Sequence, residues 1–467
     1  MSFGTFLSVI LFFVLTAMTL WHAAGKVKVL RSPFDYNHEM QLTGEEYFVV
    51  LIFATALFQC SIFLAIRLLI NEFLCIIVML RCNRNRPYSV PMVLYMVYMI
   101  WLAFGCLYAQ YPIYGVRAMI KYIYPLLVVI VCSRVVSNAE VAIKAGVLAR
   151  RIGIIAAIVG MVPVVEGVLL GGVFWYGTAR AINFISLMIF SLALFSHENY
   201  DRQKNLLLTL FFILPCFLWV FRTSIMGSLV ALAMFSLLRY RLRSIPYIAI
   251  IGIIGVICVF KIPSLKEKMF FDKDITFEEV QEEGLEEDDI NTNGRTYIWE
   301  YLEHKFYEGK EWMGSGTGSV QQEMYNNSEI YGGLQVPHSD FVQMRCDNGR
   351  IGMFLYLFAM IMVIVHCAFV YNNEKNKHLR ICAITAGSAL AGILATLYSD
   401  NTVNYSICTL SFPMGFYGMM LGLIHAEKEK KKQKHLDWKM KSFQGFIDAK
   451  VRKGRANAKG GAKDIIK

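Results

Sequence analysis

The sequence predicts an all-α polytopic membrane protein with about twelve transmembrane helices and one large extracytoplasmic loop that contains short helices. Hydrophobic residues make up 56% of the chain and charged residues 17%, whereas a soluble domain carries about 25% charged residues. Apolar runs of about 20 residues, the length that crosses a bilayer, recur along the chain. One mostly polar segment, 261–350, interrupts them.

The predicted spans follow from these apolar runs. The first run, 6–24, lacks a basic leader and a clear cleavage pattern, which predicts a retained span rather than a removed signal peptide. The second contains Arg67, Asn71 and Glu72, which predicts one crossing followed by a helical extension on the inner surface. The approximate centres of the spans are Phe13, Leu57, Tyr98, Leu127, Gly160, Leu187, Ile213, Val230, Ile251, Ala359, Ala389 and Gly415.

The basic residues of the short loops predict the orientation. Clusters such as 81–86, 239–243 and 375–380 fall at alternate span ends, together with the lysine-rich tail. Basic loops face the cytoplasm, so both termini are predicted inside and 261–350 outside. The predicted organisation is an N-terminal bundle of about nine spans (1–260), an extracytoplasmic catalytic loop (261–350), about three further spans (351–425) and a basic cytoplasmic tail (426–467).

Cysteines and the basic tail have simple interpretations. The 11 cysteines lie mostly inside apolar runs and show no spacing typical of a disulfide framework or a zinc site. The net charge is +11, and the tail carries much of it. Such a tail is attracted to anionic lipid. Because it contains no recognisable nucleic-acid-binding module, we do not expect nucleic acid to be a partner.

A few basic residues lie at the opposite, outer ends of predicted spans: Arg117, Arg180 and Arg222. An arginine at a span centre costs about 2.5–3.5 kcal/mol on insertion scales, and less near an end. Two interpretations stay open for Arg222: a guanidinium that binds phosphate through its fork of donors, or an interfacial side chain whose head reaches water. For Arg117 and Arg180 the interfacial interpretation is preferred.

The polar segment has three parts. Its acidic part, 272–289, predicts a solvated face and lacks the spacing of a calcium loop. Apolar residues at helical spacing then predict a helix over 295–310. Arg295 in its first turn opposes the helix dipole, which indicates a partner, either a phosphate or a neighbouring acid. Trp299 is suited to a membrane interface.

The third part contains a glycine cluster and a histidine. Gly-Ser-Gly-Thr-Gly at 314–318 lacks the Lys-Ser/Thr ending of a P-loop, which favours a tight irregular turn over a nucleotide site. His338 follows Pro337 at the start of a predicted helix. By itself such a histidine is either structural or catalytic.

Together these motifs resemble a family. Their order is Arg222-Thr-Ser, Gly-Arg-x-x-Ile-Trp at 294–299, Gly-x-Gly at 314–316, and His338-Ser-Asp-Phe followed by Asp-Asn-Gly-Arg-Ile-Gly at 347–352. This order resembles that of the O-antigen ligase and Wzy-type polysaccharide polymerase superfamily of bacterial envelopes, over about 206–423.

The resemblance implies a GT-C-like, metal-independent glycosyltransferase of the bacterial cytoplasmic membrane, with no cofactor. Its donor would be a glycan on undecaprenyl diphosphate, and its partners the bilayer and assembly proteins such as a chain-length regulator or a flippase. Arg222 and Arg295 match arginines that look like diphosphate binders, and His338 matches the histidine thought to position or deprotonate the acceptor hydroxyl. The family's histidine is often followed by Asn, whereas Ser339 follows it here.

Further substrate-binding candidates are Arg180, Arg117, Trp299 and Asp340. The chemistry fits these residue types, because two arginines can neutralise a diphosphate leaving group and a histidine suits proton transfer from a hydroxyl. A single displacement would invert the anomeric centre.

Three functions remain open: a polymerase of lipid-linked repeat units, which we prefer; a ligase that moves the finished glycan to lipid A core or another acceptor; and a polysaccharide transporter or flippase. The transporter is disfavoured because the chain shows no internal repeat.

Overall fold

The computed structural model describes residues 27–28, 39–40, 42–57, 64–82, 86–161, 178–198, 200–218, 221–270 and 294–461. These residues are almost entirely helical. Two short strands, β1 (Val27–Lys28) and β2 (Glu39–Met40), pair antiparallel near the N-terminus. The first predicted span and the acidic stretch 272–289 lie outside the described residues.

The described helices, in chain order, are α1 (Gly44–Leu57), α2 (Leu64–Arg81), α3 (Val90–Tyr108), α4 (Pro112–Val135), α5 (Ala139–Met161), α6 (Thr178–Phe195), α7 (Arg202–Leu218), α8 (Arg222–Tyr240), a 3-10 turn (Arg241–Ser244), α9 (Ile245–Lys261), α10 (Pro263–Met269), α11 (Arg295–Phe306), α12 (Ser319–Asn326), α13 (Asp340–Asn373), α14 (Lys377–Thr396), α15 (Ser406–Thr409) and α16 (Ser411–Gly461).

Several of these helices are suited to a bilayer. Among the described residues, five segments are long and apolar enough to cross a membrane: Val90–Tyr108, Pro112–Val135, Arg222–Lys261, Asp340–Asn373 and Lys377–Thr396. A shorter apolar stretch covers Ile182–Phe195. These segments confirm a helical, multi-pass membrane protein. The total of about twelve spans stays a prediction.

The bundle has two distinct ends. At one end, the loop end, lie residues 294–341 and the segment 397–405, which joins α14 to α15 and which we call the return loop. At the other, the tail end, α16 leaves the bundle as a lysine-rich helix that continues to Gly461. The side chains of α16 are buried as far as Leu423, and those that the structure describes between Lys428 and Lys450 are exposed. The basic tail, 426–467, is therefore helical as far as Gly461.

Helix α14 is the centre of the bundle, packed against α6, α8, α13 and α16. Most of its side chains are small and buried, which lets neighbouring backbones approach closely. One such close approach is to α8, where a Cβ atom added to Gly392 would lie 2.4 Å from the Gly227 carbonyl oxygen. This seam fixes α8, and hence Arg222 at its first residue, relative to the return loop that follows α14.

Helices α1 and α2 differ from the prediction of one crossing and a surface extension. Glu46 of α1 lies near Lys144, close to the tail end, whereas Phe53 stacks on Phe412 at the start of α16. Helix α2 then runs back, since Arg67 contacts Cys408 and the Met79 carbonyl accepts a hydrogen bond from Arg134. The two helices are antiparallel. The reason is that Arg67 and Asn71 find polar partners inside the bundle, which hydropathy alone does not reveal; Asn71 donates to Thr55 at 3.2 Å.

The loop end has its own small hydrophobic core. Leu302 of α11, Val320 and Met324 of α12, and Val342 and Cys346 of α13 are buried together. Ion pairs join the same three helices, Arg345 to Glu303 and Lys305 to Glu323 at 2.7 Å. The helix predicted over 295–310 is therefore a packed element that ends at Phe306.

Helix α13 consists of two helices joined at Gly349. Its φ of 65° and ψ of −170° break the helical path. The first part, 340–348, belongs to the loop end, and the second crosses the bundle. A Cβ atom at Gly349 would lie 2.3 Å from the Trp312 carbonyl oxygen, so this position requires glycine.

Candidate functional site

The glycine cluster 314–318 is a structural seam. Gly314, Gly316 and Gly318 all have positive φ values, and Cβ atoms added to them would lie 2.4–2.6 Å from backbone atoms of neighbouring segments. The amides of Gly318 and Val320 donate to the Asp347 carboxylate at 3.1 and 2.9 Å. Because these amides bind a carboxylate of the same chain and the glycines adopt positive φ values, the cluster forms the tight irregular turn that the sequence predicts.

Arg222 begins helix α8 at the loop end. Residue 221 is extended and precedes the helix, so the guanidinium projects from the helix terminus rather than from a span centre. It is half-buried and donates a hydrogen bond to the Lys268 carbonyl of α10. Because Arg222 lies at the end of the span, most of the free-energy cost of inserting an arginine at the membrane centre does not apply to it.

Arg295 begins helix α11, after Gly294 in the left-handed region (φ 72°). Its Nη1 donates to the Ser399 carbonyl of the return loop at 3.1 Å. Burial lowers the pKa of Arg295, and the nearby Asp400 acts in the opposite direction. The sequence predicts a partner for Arg295 because its charge opposes the helix dipole. The structure supplies two such partners in the return loop, the Ser399 carbonyl and Asp400.

The two arginines converge at one place. Arg222 lies close enough to Arg295 for the positive charges to act on each other. Both are half-buried, where like charges repel more strongly than in water. Asp400 offsets part of this charge at Arg295. The arrangement favours an added anion, and a guanidinium fork matches phosphate oxygens in particular.

His338 lies in a constrained turn beside the same acid. Its φ is 52°, unusual for a residue other than glycine. The ring Nδ1 lies 3.6 Å from Asp400 Oδ1, and 23% of the His338 side chain is exposed. The imidazole is therefore accessible from the site while one nitrogen faces a carboxylate.

Trp299 and Ser339 hold this turn from both sides. The Trp299 indole donates to the Pro337 carbonyl at 2.6 Å, and its ring packs edge-on against Tyr398 of the return loop. Ser339 caps α13 by accepting from the Val342 amide at 3.3 Å. Ser339 is the residue at which the family pattern often has Asn, and here its role is to cap this helix.

Asp340 is buried and ties α13 to the return loop. Its carboxylate accepts from the Val403 amide at 2.9 Å, and its own amide donates to the Leu397 carbonyl at 2.9 Å. These bonds align the start of α13 with the loop that carries Ser399 and Asp400. Asp340 is therefore placed to position the return loop, and with it Asp400, relative to α13.

Lys121 and Asn404 are site residues that the sequence analysis missed. Lys121, on α4, donates a hydrogen bond to the Asn404 side chain of the return loop, and its charge interacts with those of Asp340 and Arg117. A lysine inside an apolar helix was the available signal. Asp400 was missed as well, although the polar run 399–404 between two apolar helices could have indicated it.

The remaining two candidates are peripheral or not described. Arg117 is exposed and lies over the Tyr114 ring, 5.0 Å from its centroid, near Lys121 but without a described contact to His338. The side chain of Arg180, two residues after the start of α6, lies outside the described residues. Among the described residues, no group of three or more His, Cys, Asp or Glu side chains could hold a metal ion.

The fold and the site together define a multi-pass helical membrane protein that gathers two arginines, a histidine and an acid at one end. Residues 206–357 match the sequence model of the Wzy_C family, described as O-Antigen ligase. The match confirms the resemblance to the O-antigen ligase and Wzy-type polymerase superfamily that the motif order predicted, and it includes Arg222, Arg295 and His338. The return loop and Lys121 lie outside the matched segment. No curated protein matches the chain.

Proposed function

We propose that the protein is a glycosyltransferase that polymerises undecaprenyl-diphosphate-linked repeat units into a surface polysaccharide at the outer face of the bacterial cytoplasmic membrane. The observation that carries the proposal is the convergence of Arg222 and Arg295 beside His338 and Asp400. Two half-buried cations, with an acid beside Arg295, suit a diphosphate, and an accessible imidazole suits an acceptor hydroxyl.

The reaction follows from these positions. The acceptor oxygen attacks the anomeric carbon of the lipid-linked glycan, and the bond from that carbon to the diphosphate oxygen breaks. The hydroxyl proton passes to His338, whose Nδ1 faces Asp400, which leaves Nε2 as the base. The carboxylate stabilises the imidazolium that forms. A single displacement of this kind inverts the anomeric centre.

The diphosphate leaves with both electrons of the broken bond, and its negative charge grows during the step. Arg222 and Arg295 stabilise that charge without first having to reorganise, because their bonds to the Lys268 and Ser399 carbonyls already orient them. The lipid tail can remain in the bilayer, because Arg222 begins a segment apolar enough to cross it. The chemistry we propose requires no metal or cofactor.

Lys121 and Asp340 support the site in this scheme. Asp340 holds the return loop, and Lys121 holds Asn404 in the same loop. We assign both as positioning residues. Trp299 fixes the turn that carries His338, and Arg117 and Arg180 remain candidates for contacts to the glycan.

The proposal is tested by complementing a deletion strain with Arg222→Ala, Arg295→Ala and His338→Ala and analysing the surface glycan. Lys310→Ala is the matched control, since Lys310 is an exposed basic residue at the loop end that belongs to none of the family motifs. Each variant is checked for normal membrane expression. We expect the three site variants to lose long-chain polysaccharide and the control to keep it. Full-length polysaccharide in all three site variants would refute the proposal that the protein is this glycosyltransferase.

The same deletion strain separates the polymerase from the ligase and the transporter. Single repeat units on lipid A or on extracytoplasmic undecaprenyl diphosphate indicate a lost polymerase. Long chains that stay on undecaprenyl diphosphate indicate a lost ligase. Single units that accumulate on the cytoplasmic face indicate a lost flippase. We expect the first result.

A further inference from the structure

A second cluster of positive charge lies at the tail end, remote from the site described above. A cavity of 370 Å³ opens there between the ends of α6, α8, α13 and α14. Its described lining has no carboxylate and consists of Ser196, His197, Arg239, Tyr240, Tyr371 and Arg380. The proposed glycosyl transfer uses none of these residues.

Aromatic rings hold the two arginines of this cavity in place. Arg239 lies 5.4 Å from the Tyr240 ring centroid, and Arg380 lies 4.4 Å from that of Tyr371. Arg239 also donates to the Ser196 carbonyl at 3.1 Å. Within the described part of the chain, the buried Nε of Arg380 has no hydrogen-bond partner. A buried donor of a charged group without a partner is costly, so this nitrogen indicates a missing acceptor.

His197 reports the excess of positive charge. Burial is the largest cause that lowers the pKa of His197 to about 4, and the charges of Arg239, Arg380, His378 and Lys377 contribute to the same shift. The imidazole is therefore neutral at pH 7 and can donate one hydrogen bond without adding charge. Its surroundings are those that an anion would stabilise.

The mouth of the cavity adjoins surface suited to lipid. Tyr240, which lines the cavity, stacks on Tyr247 with the ring centroids 5.2 Å apart, and both rings are exposed. Tyrosine pairs of this kind are typical of the membrane–water interface. Helix α9, which starts beside them, is apolar and buries no side chain in the described structure. Acyl chains can cover this helix while a headgroup enters the cavity.

We propose that this cavity binds the phosphate of an anionic phospholipid headgroup, held by Arg239 and Arg380 and supplied by the leaflet at the tail end. Arginine forks bind phosphate oxygens in pairs, and anionic lipid is attracted to basic surface at this depth. The lipid would join four helices. Three of them, α8, α13 and α14, carry Arg222, His338 and the return loop at their other ends.

The test uses the full-length protein purified in detergent, with phosphatidylglycerol, phosphatidylethanolamine and inorganic phosphate as probes. Retained lipid is counted by native mass spectrometry, and thermal unfolding is followed with each probe. The test variant combines Arg239→Gln with Arg380→Gln. The matched control is Arg243→Gln, which removes an exposed charge from the same end outside the cavity.

We expect the wild type and the control to retain phosphatidylglycerol in preference to phosphatidylethanolamine. The double variant should lose at least about tenfold in apparent affinity for phosphatidylglycerol, since two charge-assisted interactions are removed. A wild type that does not distinguish the two lipids, or a double variant that retains the preference, overturns the proposal. Stabilisation by inorganic phosphate that equals that by phosphatidylglycerol overturns the lipid as the source.

A second variant covers the case in which the double variant does not fold. Arg380→Lys keeps the positive charge and removes the planar fork of donors. We expect it to bind phosphatidylglycerol more weakly than the wild type. Unchanged preference for phosphatidylglycerol in this variant overturns the proposal.

Discussion

Asp400 of the return loop lies 3.6 Å from His338, measured between Oδ1 and Nδ1, and its charge also acts on Arg295. One carboxylate thus serves the candidate base and one of the two candidate diphosphate ligands. His338 precedes α13 in the chain and Asp400 follows α14. The packing of α13 against α14 therefore sets the distance between the two side chains.

The first prediction concerns this shared acid. Asp400→Asn keeps the shape of the side chain but removes the charge that stabilises the imidazolium. We expect turnover of a lipid-linked donor to fall by about 10²–10⁴-fold, by analogy with the acid of a catalytic triad. The measurement is glycan formation by purified protein in detergent. Asp437→Asn, in the exposed part of α16, is the control, and activity close to wild type in Asp400→Asn would remove this role.

The second prediction concerns the arginine pair. Inorganic diphosphate should raise the unfolding temperature of the wild type, because it relieves the repulsion between Arg222 and Arg295. The double variant Arg222→Gln with Arg295→Gln should show no such rise. Thermal unfolding with and without diphosphate makes the comparison, and Lys310→Gln serves as the control. An equal rise of the unfolding temperature in the double variant would show that diphosphate binds at a site other than Arg222 and Arg295.

The third prediction concerns Lys121 and Asp340. Lys121→Met removes the hydrogen bond to Asn404 and a positive charge that acts on the buried Asp340, and losing a hydrogen bond from a charged group is expected to cost about 1–3 kcal/mol of stability. Asp340→Asn in the same chain should recover part of the loss, since an amide oxygen can still accept from the Val403 amide. Unfolding temperatures of the two single variants and the double variant measure the coupling. Strict additivity would argue against it.

The fourth prediction uses two glycines with similar backbone angles. Gly318 has a φ of +88° and Gly333 a φ of +84°, but only at Gly318 would a Cβ atom meet neighbouring backbone, 2.4 Å from the Tyr114 carbonyl carbon. Both alanine variants suffer backbone strain of about 1–3 kcal/mol. In Gly318→Ala the added Cβ atom also clashes with α4 and pushes the glycine cluster 314–318 away from that helix. We therefore expect Gly318→Ala to have a clearly lower unfolding temperature than Gly333→Ala. Equal decreases in unfolding temperature in the two variants would contradict close packing of the glycine cluster against α4.

The sequence by itself determined the class of the protein and most of the candidate site. Apolar runs of bilayer length require helices, because a helix satisfies its own backbone hydrogen bonds in lipid. Arg222, Arg295 and His338 were found because an arginine at a span end, an arginine at a helix start and a histidine in a polar loop each depart from a local rule. Local rules operate over a few residues, so a single sequence reveals such departures.

Only the tertiary structure decided how these residues meet and what supports them. Asp400, Lys121 and Asn404 obey no motif, and their roles arise where α4, α13 and the return loop converge. The direction of α2 was also decided by packing, since Arg67 and Asn71 are tolerated only where the bundle supplies partners. Contacts between residues far apart in the chain depend on which helix faces pack together, and the order of apolar and polar residues along one chain does not specify that pairing.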